Sequence, residues 1–579
     1  MANNLYKAKF ENKLSLGGIG TGHIALGCDG SITSPMSDSS NLSFLVIKAE
    51  KDGELFDARI LQSSKSGDIP LPCFDSSAAS SFFPFTEICF SDPSFPADVK
   101  MTAFSPFIPL NDTDSGIPAV SFEFEITNKS DQRIDYSICL VSANANERSY
   151  NRMGCTATGE AYIHLTGDEE ASKNTCIATN GKNISFCEYS PNLDAFIRNF
   201  TENSTLINGT RLECQGGTAF AALCTHFSLN FGKAKKVSFC LSWYKPENDF
   251  SRNYYAQYFE SSLECASYLF RQMDRLYRCS MEFCENVCGA TLPENVIEEI
   301  NRDLFAFSSK NYLRLDNGAL ISGEKQSFSD FETFLSRSGI MISLFPATDY
   351  SQTASFYSNS LYETADDDEI ILAILSSYRK YILDGDGDSL IEEWYYIAKC
   401  MEKLFGEDGK EKCKADKVLV ASVIEAAMSM AEEVRDKKRY ELYSSMLCDT
   451  QIEQFSMDIT VGFSKINEMS GFEYSAKDKH IGFCPKSDYC PLDSGNTFRC
   501  FFCTPQGYGY VEEGIDYIEI NLLHGTLTIK SFGVPRTPRL VQYGGRNWRF
   551  ENKSLVAVLD SELEVTPQKK LTIFIDIKQ

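Results

Sequence analysis

The sequence predicts a multidomain protein of α and β structure: an N-terminal antiparallel β-sandwich packed on a truncated (α/α) barrel-like helical domain, followed by C-terminal β-strands. Three patterns predict this class. Short apolar and aromatic runs alternate with turn residues up to about residue 285, for example at 121–127 and 236–244, a spacing typical of sandwiches. Helical periodicity follows. Strand patterns return from about residue 471.

These changes of pattern predict four parts. We expect a β-sandwich at 1–250, a helical linker at 251–288, a toroid-like helical domain at 289–470 and a C-terminal β-region at 471–579. From residue 253 the apolar residues keep helical spacing for over thirty residues, which predicts one or two helices. Later helices are predicted at 368–383, 389–405, 416–434 and 439–447.

Charge and composition exclude several functions. The chain of 579 residues has 80 acidic and 55 basic residues and a formal charge of −25, which would repel a nucleic-acid backbone. Its first residues lack a signal-peptide pattern, and no apolar run is long enough to span a membrane. Twenty-one cysteines without a disulfide pattern indicate a reducing compartment. We expect a cytoplasmic protein that needs no cofactor.

Residues 317–347 contain the strongest candidates for catalytic residues. A turn signal at its start is followed by Glu324, and then by Asp330 and Glu332 before an apolar run. The run has helical spacing from Phe331 to the expected stop at Pro346. Carboxylates delivered to the mouth of a helical layer suit glycoside hydrolysis, which uses two acidic side chains. Acidic residues at a helix start are also ordinary caps, so both interpretations stay open.

Four other motifs are weaker evidence for a functional site. The glycine-rich segment 17–22 lacks the lysine of a phosphate loop, so its glycines predict tight turns or a close backbone approach. The segment 384–388 has calcium-loop aspartates, but its sixth and twelfth positions do not fit, and a turn between helices is favoured. The C-x-x-C pair among four late cysteines fits zinc poorly. The five histidines form no ligand pair, and no serine-nucleophile motif is present. We predict no metal site.

The order of parts resembles glycoside hydrolase family 116, the family of non-lysosomal glucosylceramidase and bile acid β-glucosidase. The resemblance rests on separate stretches. They are 17–32 (GGIGTGHIALGCDGSI), 103–138, 242–246 (SWYKP), 253–259 (NYYAQYF), 292–305, 376–402, 471–485 and 498–513. The resemblance implies a β-sandwich on an (α/α)6 barrel. It also implies a retaining mechanism, in which a glutamate attacks the anomeric carbon and an aspartate acts as acid and base.

The resemblance assigns the site residue by residue. The family's nucleophile lies in a Leu-Glu-Gly turn, and its nearest match is Glu324. Glu332 falls at the place of an aspartate in the following helix start, which implies a substrate-binding role. The family's Asp-x-x-Tyr-Asp-Gly-Trp segment, which holds the acid and base, is missing. By order in the chain, Asp408 and Asp416 are the carboxylates that could replace it, and Asp408 is our candidate.

The chain departs from the family in size as well, because about 170 residues are too few for twelve helices with their loops. Two functions therefore stay open. One is a β-glucosidase-like or β-xylosidase-like hydrolase with a reduced helical domain. The other is a non-catalytic protein, derived from this family, that binds a glycan or partners an active relative. A carbohydrate ligand and a homo-oligomer are both consistent with the sequence.

Overall fold

A computed structural model of the chain describes most of its residues. The described residues are 8–9, 13–33, 42–65, 69–144, 146, 148–167, 173–208, 213–215, 219–247, 252–306, 308, 312–316, 318, 320–322, 363, 365–406, 409, 417–449, 464–486, 488–489 and 496–577. They fall into two compact units. The first holds the described residues within 1–288, 297–316 and 321–323, and the second holds the remainder.

Unit 1 is built mainly from strands. In chain order they are β1 (Ala8–Lys9), β2 (Lys13–Leu16), β3 (Ile24–Gly27), β4 (Ile32–Thr33), β5 (Ser43–Lys51), β6 (Glu54–Ile60), β7 (Ser76–Phe82), β8 (Phe85–Ser91), β9 (Ala97–Phe104), β10 (Ala119–Asn128), β11 (Ile134–Asn144), β12 (Arg148–Cys155), β13 (Ala161–Thr166), β14 (Asn174–Thr179), β15 (Ile184–Ser190), β16 (Glu213–Gln215), β17 (Ala219–Leu229) and β18 (Ala234–Tyr244).

Two antiparallel sheets of these strands form a sandwich. The larger runs β1-β7-β8-β9-β10-β18-β14-β13-β12-β16, and the smaller runs β15-β17-β11-β5-β6. Strands β13 and β14 of the larger sheet lie against β17 and β11 of the smaller one. Strands β2, β3 and β4 form a small separate sheet. The predicted N-terminal sandwich is thus confirmed.

Two short helices interrupt this β-structure, and the sequence patterns did not predict them. They are α1 (Asp112–Ser115) and α2 (Leu193–Glu202). Helix α2 starts at Asn192, whose side chain accepts a hydrogen bond from the Ala195 N–H, an ordinary cap. Its residues Phe196 and Phe200 pack on the smaller sheet. Strand β11 is therefore buried on both faces, at all positions except Asp135.

The helical spacing predicted from residue 253, in the stretch we call the linker, is present as two helices. A short 3₁₀ turn (Tyr254–Gln257) comes first, and then α3 (Ser262–Arg271) and α4 (Met273–Cys288). Helix α5 (Glu294–Ala306) follows, and after it the short strands β19 (Tyr312–Arg314) and β20 (Leu320–Ser322) pair with each other. The side-chain oxygen of Asn301 on α5 accepts a hydrogen bond from the Phe83 N–H of the sandwich at 2.5 Å. The division of the chain into four parts at 250, 288 and 470 stays a prediction.

Unit 2 contains a helical layer at the predicted places. Its helices are α6 (Asp367–Asp384), α7 (Gly387–Phe405), α8 (Lys417–Glu433), α9 (Lys437–Asp449) and α10 (Ser464–Ser470). The first four share one apolar core, with Ile374, Leu404, Val423 and Met430 fully buried. Burial of each such side chain contributes about 1.5–3 kcal/mol, so the layer is held by packing more than by helix propensity.

The segment with calcium-loop aspartates is a turn between α6 and α7, as predicted. Gly385 takes a left-handed backbone, with φ +71°, which glycine adopts at little cost. Asp386 caps α7, because its carboxylate accepts hydrogen bonds from the N–H groups of Asp388 and Ser389, both at 3.1 Å. Capping is therefore the observed role of this carboxylate.

The C-terminal strands of unit 2 form two further sheets. The strands are β21 (Glu473–Ser475), β22 (His480–Gly482), β23 (Phe498–Thr504), β24 (Gly507–Glu513), β25 (Tyr517–Gly525), β26 (Leu527–Gly533), β27 (Pro538–Tyr543), β28 (Arg546–Trp548), β29 (Phe550–Lys553), β30 (Val556–Val565) and β31 (Leu571–Ile575). One sheet runs β21-β22-β26-β30-β29, with β22 and β26 parallel, and the other runs β23-β24-β25-β31-β27-β28. The predicted class of α and β structure with C-terminal strands is confirmed.

Across the described ranges, no helix is both long and apolar enough to cross a membrane. A homo-oligomer stays a prediction.

Candidate functional site

Stretches that are far apart in the sequence meet in unit 1 around the glycine-rich segment 17–22. The Ile19 N–H donates to the Ser115 carbonyl oxygen at 2.8 Å. The Trp243 indole N–H donates to the Thr21 carbonyl oxygen at 2.8 Å, and the Trp243 backbone N–H donates to Pro118 at 3.0 Å. Three of the stretches quoted for the family resemblance thus converge at one place in the fold.

The glycines of this segment permit direct contact between backbones. A Cβ atom on Gly18 would lie 2.6 Å from the Ile117 carbonyl oxygen. A Cβ atom on Gly20 would lie 2.6 Å from the backbone nitrogen of Arg314, and Gly20 has a φ of +64°. Any side chain at these positions would force the segments apart. The prediction of a close backbone approach is confirmed.

Arg314 joins the glycine segment to helix α1. It ends a short strand (Tyr312–Arg314), and its backbone N–H donates to the Gly20 carbonyl oxygen at 3.1 Å. Its guanidinium donates to the Asp112 carboxylate at 2.6 Å and lies 3.8 Å from the ring centroid of Tyr254. The side chain is 4% exposed, so the ion pair and the cation–π contact are shielded from water and strengthened by it. We call Gly20, Asp112, Tyr254 and Arg314 the anchor.

A second arginine–aspartate pair fixes the other end of α1. Arg275 makes two hydrogen bonds to the Asp114 carboxylate, at 2.7 and 3.1 Å, and the Tyr268 hydroxyl makes a third at 2.8 Å. The bond to Asp114 raises the pKa of Arg275. Asn111 adds another donor at 2.6 Å. Asp114 is buried, and both of its carboxylate oxygens accept hydrogen bonds from protein groups. We therefore assign it a structural role and not a role in binding a ligand.

Tyr254 of the anchor forms a pair with Tyr258, whose ring is accessible. The rings of Tyr254 and Tyr258 are 5.5 Å apart at an angle of 61°, and their hydroxyls are 3.0 Å apart. Burial and the Tyr258 hydroxyl raise the pKa of Tyr254 to about 12, so it stays neutral. Tyr258 is 45% exposed. Rings with polar tips next to the Asp112 carboxylate resemble the surfaces on which proteins stack and hydrogen-bond sugars.

The predicted catalytic residues follow this region in the chain. After Arg314 the chain forms a strand pair with Leu320–Ser322. Glu324 comes two residues later. Glu324, Glu332, Asp408 and Asp416 lie outside the described residues, as does the predicted helix that starts at Phe331. Their roles stay predictions.

Glu513 is a carboxylate with a strongly raised pKa that the sequence patterns did not identify. Burial raises its pKa to about 7, against a smaller lowering effect of Arg536. A glycosidase acid needs such a value. However, the side chain is fully buried in β24, and its nearest charged partner is Arg536 at 3.4 Å. No substrate could reach it, so we assign it a structural role.

The cysteines that the structure describes between residues 484 and 503 are not arranged to bind one metal ion together. Cys500 and Cys503 both lie on β23, three residues apart, so their side chains point to opposite faces of the sheet. Burial raises the pKa of both, that of Cys500 to about 12, which disfavours the thiolate that binds zinc. Cys484 is exposed, and Cys490 lies outside the described residues. Among the described residues no group of His, Cys, Asp and Glu is arranged to hold a metal ion.

Comparison with known families identifies the N-terminal part. Residues 14–276 match the model of "beta-glucosidase 2, glycosyl-hydrolase family 116 N-term". The chain resembles glycoside hydrolase family 116. The match contains the glycine segment, helix α1 and the tyrosine pair, and it covers less than half of the 579 residues. The family 116 resemblance is therefore shown over residues 14–276, which contain strands β3 to β18 and helix α3.

The other comparisons add little. No curated protein sequence matches the chain. A human-microbiome protein provisionally described as a kojibiose phosphorylase has a TM-score of 0.46 at 9% identity, over 96% of this chain and 92% of its own. A family GH92 α-mannosidase from Bacteroides thetaiotaomicron has a TM-score of 0.31 at 10% identity, over 75% of this chain and 63% of its own. Similarities at this level carry no argument about function.

We expect Gly20→Ala to destabilise unit 1 more than Gly232→Ala does. Both glycines have a left-handed backbone, with φ of +64° and +69°, so both substitutions cost about 1–2 kcal/mol. Only Gly20 would meet another backbone, whereas Gly232 has open space. The collision should add about 1–3 kcal/mol. Calorimetric unfolding of both variants tests this, and equal losses would contradict the anchor geometry.

Glu513 should make the stability of the protein fall as pH rises from about 4 to about 7. Its pKa is raised in the folded protein, to about 7, so folding favours the protonated form and this stabilisation is lost above that pH. The effect should approach about 3 kcal/mol. In Glu513→Gln this part of the pH dependence should disappear, because the glutamine amide does not titrate in this range. The variant should still fold, because Arg536 keeps hydrogen bonds to the carbonyl oxygens of Ile515 and Asp576.

Thermal unfolding at pH 5 and pH 8 measures this difference. The control is Glu551→Gln, since Glu551 is 70% exposed. The assignment fails if Glu513→Gln and the control show the same pH dependence as the unmodified protein.

Proposed function

We propose that the protein is a retaining glycoside hydrolase of the β-glucosidase type, with Glu324 as its nucleophile. The match of residues 14–276 to a family 116 N-terminal domain supports a function of the glycosidase type. The anchor is the structural observation that supports the choice of Glu324 as the nucleophile. It fixes Arg314 by a backbone hydrogen bond, an ion pair and a ring contact, ten residues before Glu324.

The anchor supports this function because a nucleophile must be held in a precise place. Catalytic groups gain most of their effect from a fixed geometry, and a displacement of 1 Å can cost about 10²-fold in rate. A segment that leaves a rigid, buried attachment point starts from a defined position. Arg314 is such a point, because its side chain is almost fully buried and its guanidinium contacts two other stretches of the chain.

The proposed reaction has two steps. The Glu324 carboxylate attacks the anomeric carbon, a glycosyl ester forms, and the aglycone leaves with a proton from an acid; water then hydrolyses the ester. We assign Asp408 as the acid and base, and Glu332 to a hydroxyl of the bound sugar. In a retaining site the two carboxyl groups would lie about 5–5.5 Å apart. β-Glucosides are the first choice of substrate and β-xylosides the second.

A second function is favoured by one observation, the tyrosine pair. Tyr258 presents an accessible ring next to Tyr254, and such a surface can bind a sugar without any chemistry. In this alternative the protein binds a glycan or partners an active relative. The alternative predicts binding that depends on Tyr258 and no turnover of any glycoside.

We expect the purified protein to hydrolyse aryl β-glucosides with activated leaving groups, such as the 2,4-dinitrophenyl glycoside. Such groups leave with little help from an acid, which otherwise contributes about 10²- to 10⁴-fold. Glu324→Gln should lower the rate by at least about 10³-fold, because it removes the nucleophile. Asp330→Asn changes a nearby carboxylate in the sequence and serves as the matched control.

Chemical rescue distinguishes a nucleophile from a residue that only supports the fold. In Glu324→Gly, added azide should attack the anomeric carbon in place of the carboxylate and yield the α-glycosyl azide. Hydrolysis that is equally fast in Glu324→Gln and Asp330→Asn would exclude Glu324. Absence of turnover by a folded, unmodified protein, together with glycan binding that Tyr258→Ala abolishes, would establish the second function instead.

A further inference from the structure

A buried polar cluster lies on the outer face of the smaller sheet, beneath helix α2. Strands β5, β11, β17 and β15 contribute alternate residues to this face, so the side chains form rows across the strands. One row holds an ammonium, a hydroxyl and an imidazole, and the next holds two thiols and a hydroxyl. The first row is Lys48, Ser137 and His226, and the second is Cys139, Cys224 and Ser185.

Cys139 and Cys224 are direct cross-strand partners. They lie opposite each other in the register of β11 and β17. Both thiols belong to the apolar core beneath α2 and are fully buried. Residues that face each other in this way have Cβ atoms about 4.5–5.5 Å apart, so the two sulfur atoms share one small space.

The backbone hydrogen bonds show whether Cys139 and Cys224 form a hydrogen-bonded or a non-hydrogen-bonded pair of the antiparallel ladder. The Ala143 N–H donates to the Leu42 carbonyl oxygen, so the odd-numbered residues of β11 bond to β5. The His226 N–H donates to the Asn183 carbonyl oxygen, so the even-numbered residues of β17 bond to β15. The two cysteines thus occupy a non-hydrogen-bonded position between β11 and β17. There the Cα atoms are about 4.5 Å apart, within the range of about 4.4–6.8 Å that a disulfide needs.

The surroundings make the two thiols chemically unequal. Burial acts to raise the pKa of Cys224, but the neighbouring Cys139, His226 and Lys48 side chains lower it to about 6. Burial and the neighbouring Cys224 raise the pKa of Cys139 well above its usual value. His226 is itself held by Ser137 and Ser185, both at 2.7 Å. Cys224 is therefore the thiolate of the pair, and Cys139 is the protonated thiol, which donates to the Leu140 carbonyl oxygen at 3.8 Å.

The end of helix α2 closes this cluster. The Lys48 ammonium donates to the Asn203 carbonyl oxygen at 2.6 Å and pairs with Glu50 at 3.1 Å. The Leu206 N–H donates to the Ser185 hydroxyl at 2.9 Å. A small reagent can reach the thiols only when this end of the helix opens locally, so the thiols should react more slowly than exposed ones.

A second buried pair lacks these features and serves as an internal comparison. Cys176 faces Ser242, and Cys240 faces Ala178, so the two cysteines are diagonal neighbours, with Cα atoms about 7–8 Å apart. That distance is too long for a disulfide. Burial raises the pKa of both thiols, which leaves them unreactive.

We propose that Cys139 and Cys224 form an oxidation site, at which hydrogen peroxide converts the two thiols into one disulfide. The Cys224 thiolate attacks one peroxide oxygen; an S–O bond forms, the O–O bond breaks, and the released hydroxide takes up a proton to become water. The Cys139 sulfur then attacks Cys224 sulfenic acid; the S–S bond forms, and the S–O bond breaks. The second hydroxide takes the Cys139 proton. Two thiols and one peroxide yield one disulfide and two waters.

The test uses the full chain with its exposed thiols blocked. Iodoacetamide under native conditions caps exposed cysteines such as Cys89, Cys155 and Cys484. Hydrogen peroxide is then added, and peptides are mapped by mass spectrometry without reduction. We expect a crosslink between the peptides that contain Cys139 and Cys224. Cys176 and Cys240 should remain alkylatable after unfolding.

Two substitutions separate the roles of the thiols. In Cys139→Ser the sulfenic acid cannot be resolved, so dimedone should label Cys224. In Cys224→Ser neither dimedone nor a crosslink should mark Cys139. His226→Gln should slow the oxidation at pH 7 by about tenfold, because it raises the pKa of the attacking thiol.

Two results would overturn the proposal. The first is a pair that stays reduced even when the exposure to peroxide lasts many times longer than the exposed thiols of an unblocked sample need to oxidise. The second is a crosslink that maps to a different pair of cysteines. The mapping of the unmodified sequence decides the matter even if a variant fails to fold.

Discussion

The contact between the glycine segment and the strand of Arg314 is the constraint on which the site depends. Gly18 and Gly20 let two other backbones approach so closely that no side chain would fit. Because the contact joins backbone to backbone, it fixes distances that side chains could not fix as firmly. The ion pair from Arg314 to Asp112 and the ring of Tyr254 then close over it. The sandwich, the linker and the start of the segment that leads to Glu324 are thereby held together.

Helix α1 has only four residues, and two arginines make it a fixed point. Asp112 binds Arg314 and Asp114 binds Arg275, so one turn of helix ties the strand of Arg314, about 200 residues later in the sequence, to the linker helix α4. Charges that are taken out of water are costly unless each is paired and hydrogen-bonded. Here each aspartate has an arginine at 2.6–2.7 Å. The two ion pairs therefore hold helix α1 in one position.

The sequence predicted much of the fold because the periodicity of its apolar residues is strong. The helices α6 to α9 begin and end within a few residues of the predicted places, since each buries one face in a common core. Helix α2 was missed because its ten residues lie within a long region of strand patterns, although Phe196, Ile197 and Phe200 have helical spacing. Strands β27 to β30 have weak patterns of their own, because their outward residues are polar and charged, for example on β28 and β29. These strands are held by backbone hydrogen bonds to the neighbouring strands of their sheets.

The site was less predictable than the fold. The glycine segment was interpreted correctly as a close approach, because glycines without a phosphate-loop lysine have few other uses. The pairing of Arg314 with Asp112 could not be read from the sequence, since no periodicity links residues so far apart. The same holds for Cys139 and Cys224, whose contact depends on the register of two strands. Glu324, Glu332 and Asp408 still rest on the sequence and on the family resemblance.

Hydrogen exchange of the segment 312–322 tests the central claim, that the anchor holds the chain where it leads to Glu324. In Arg314→Met the amides of this segment should lose about 10- to 100-fold in protection, because the ion pair and the ring contact are removed. The matched control is Arg275→Met, which breaks the other pair on α1 and does not touch this strand. The account is contradicted if protection is unchanged in Arg314→Met, or if both variants lose it equally.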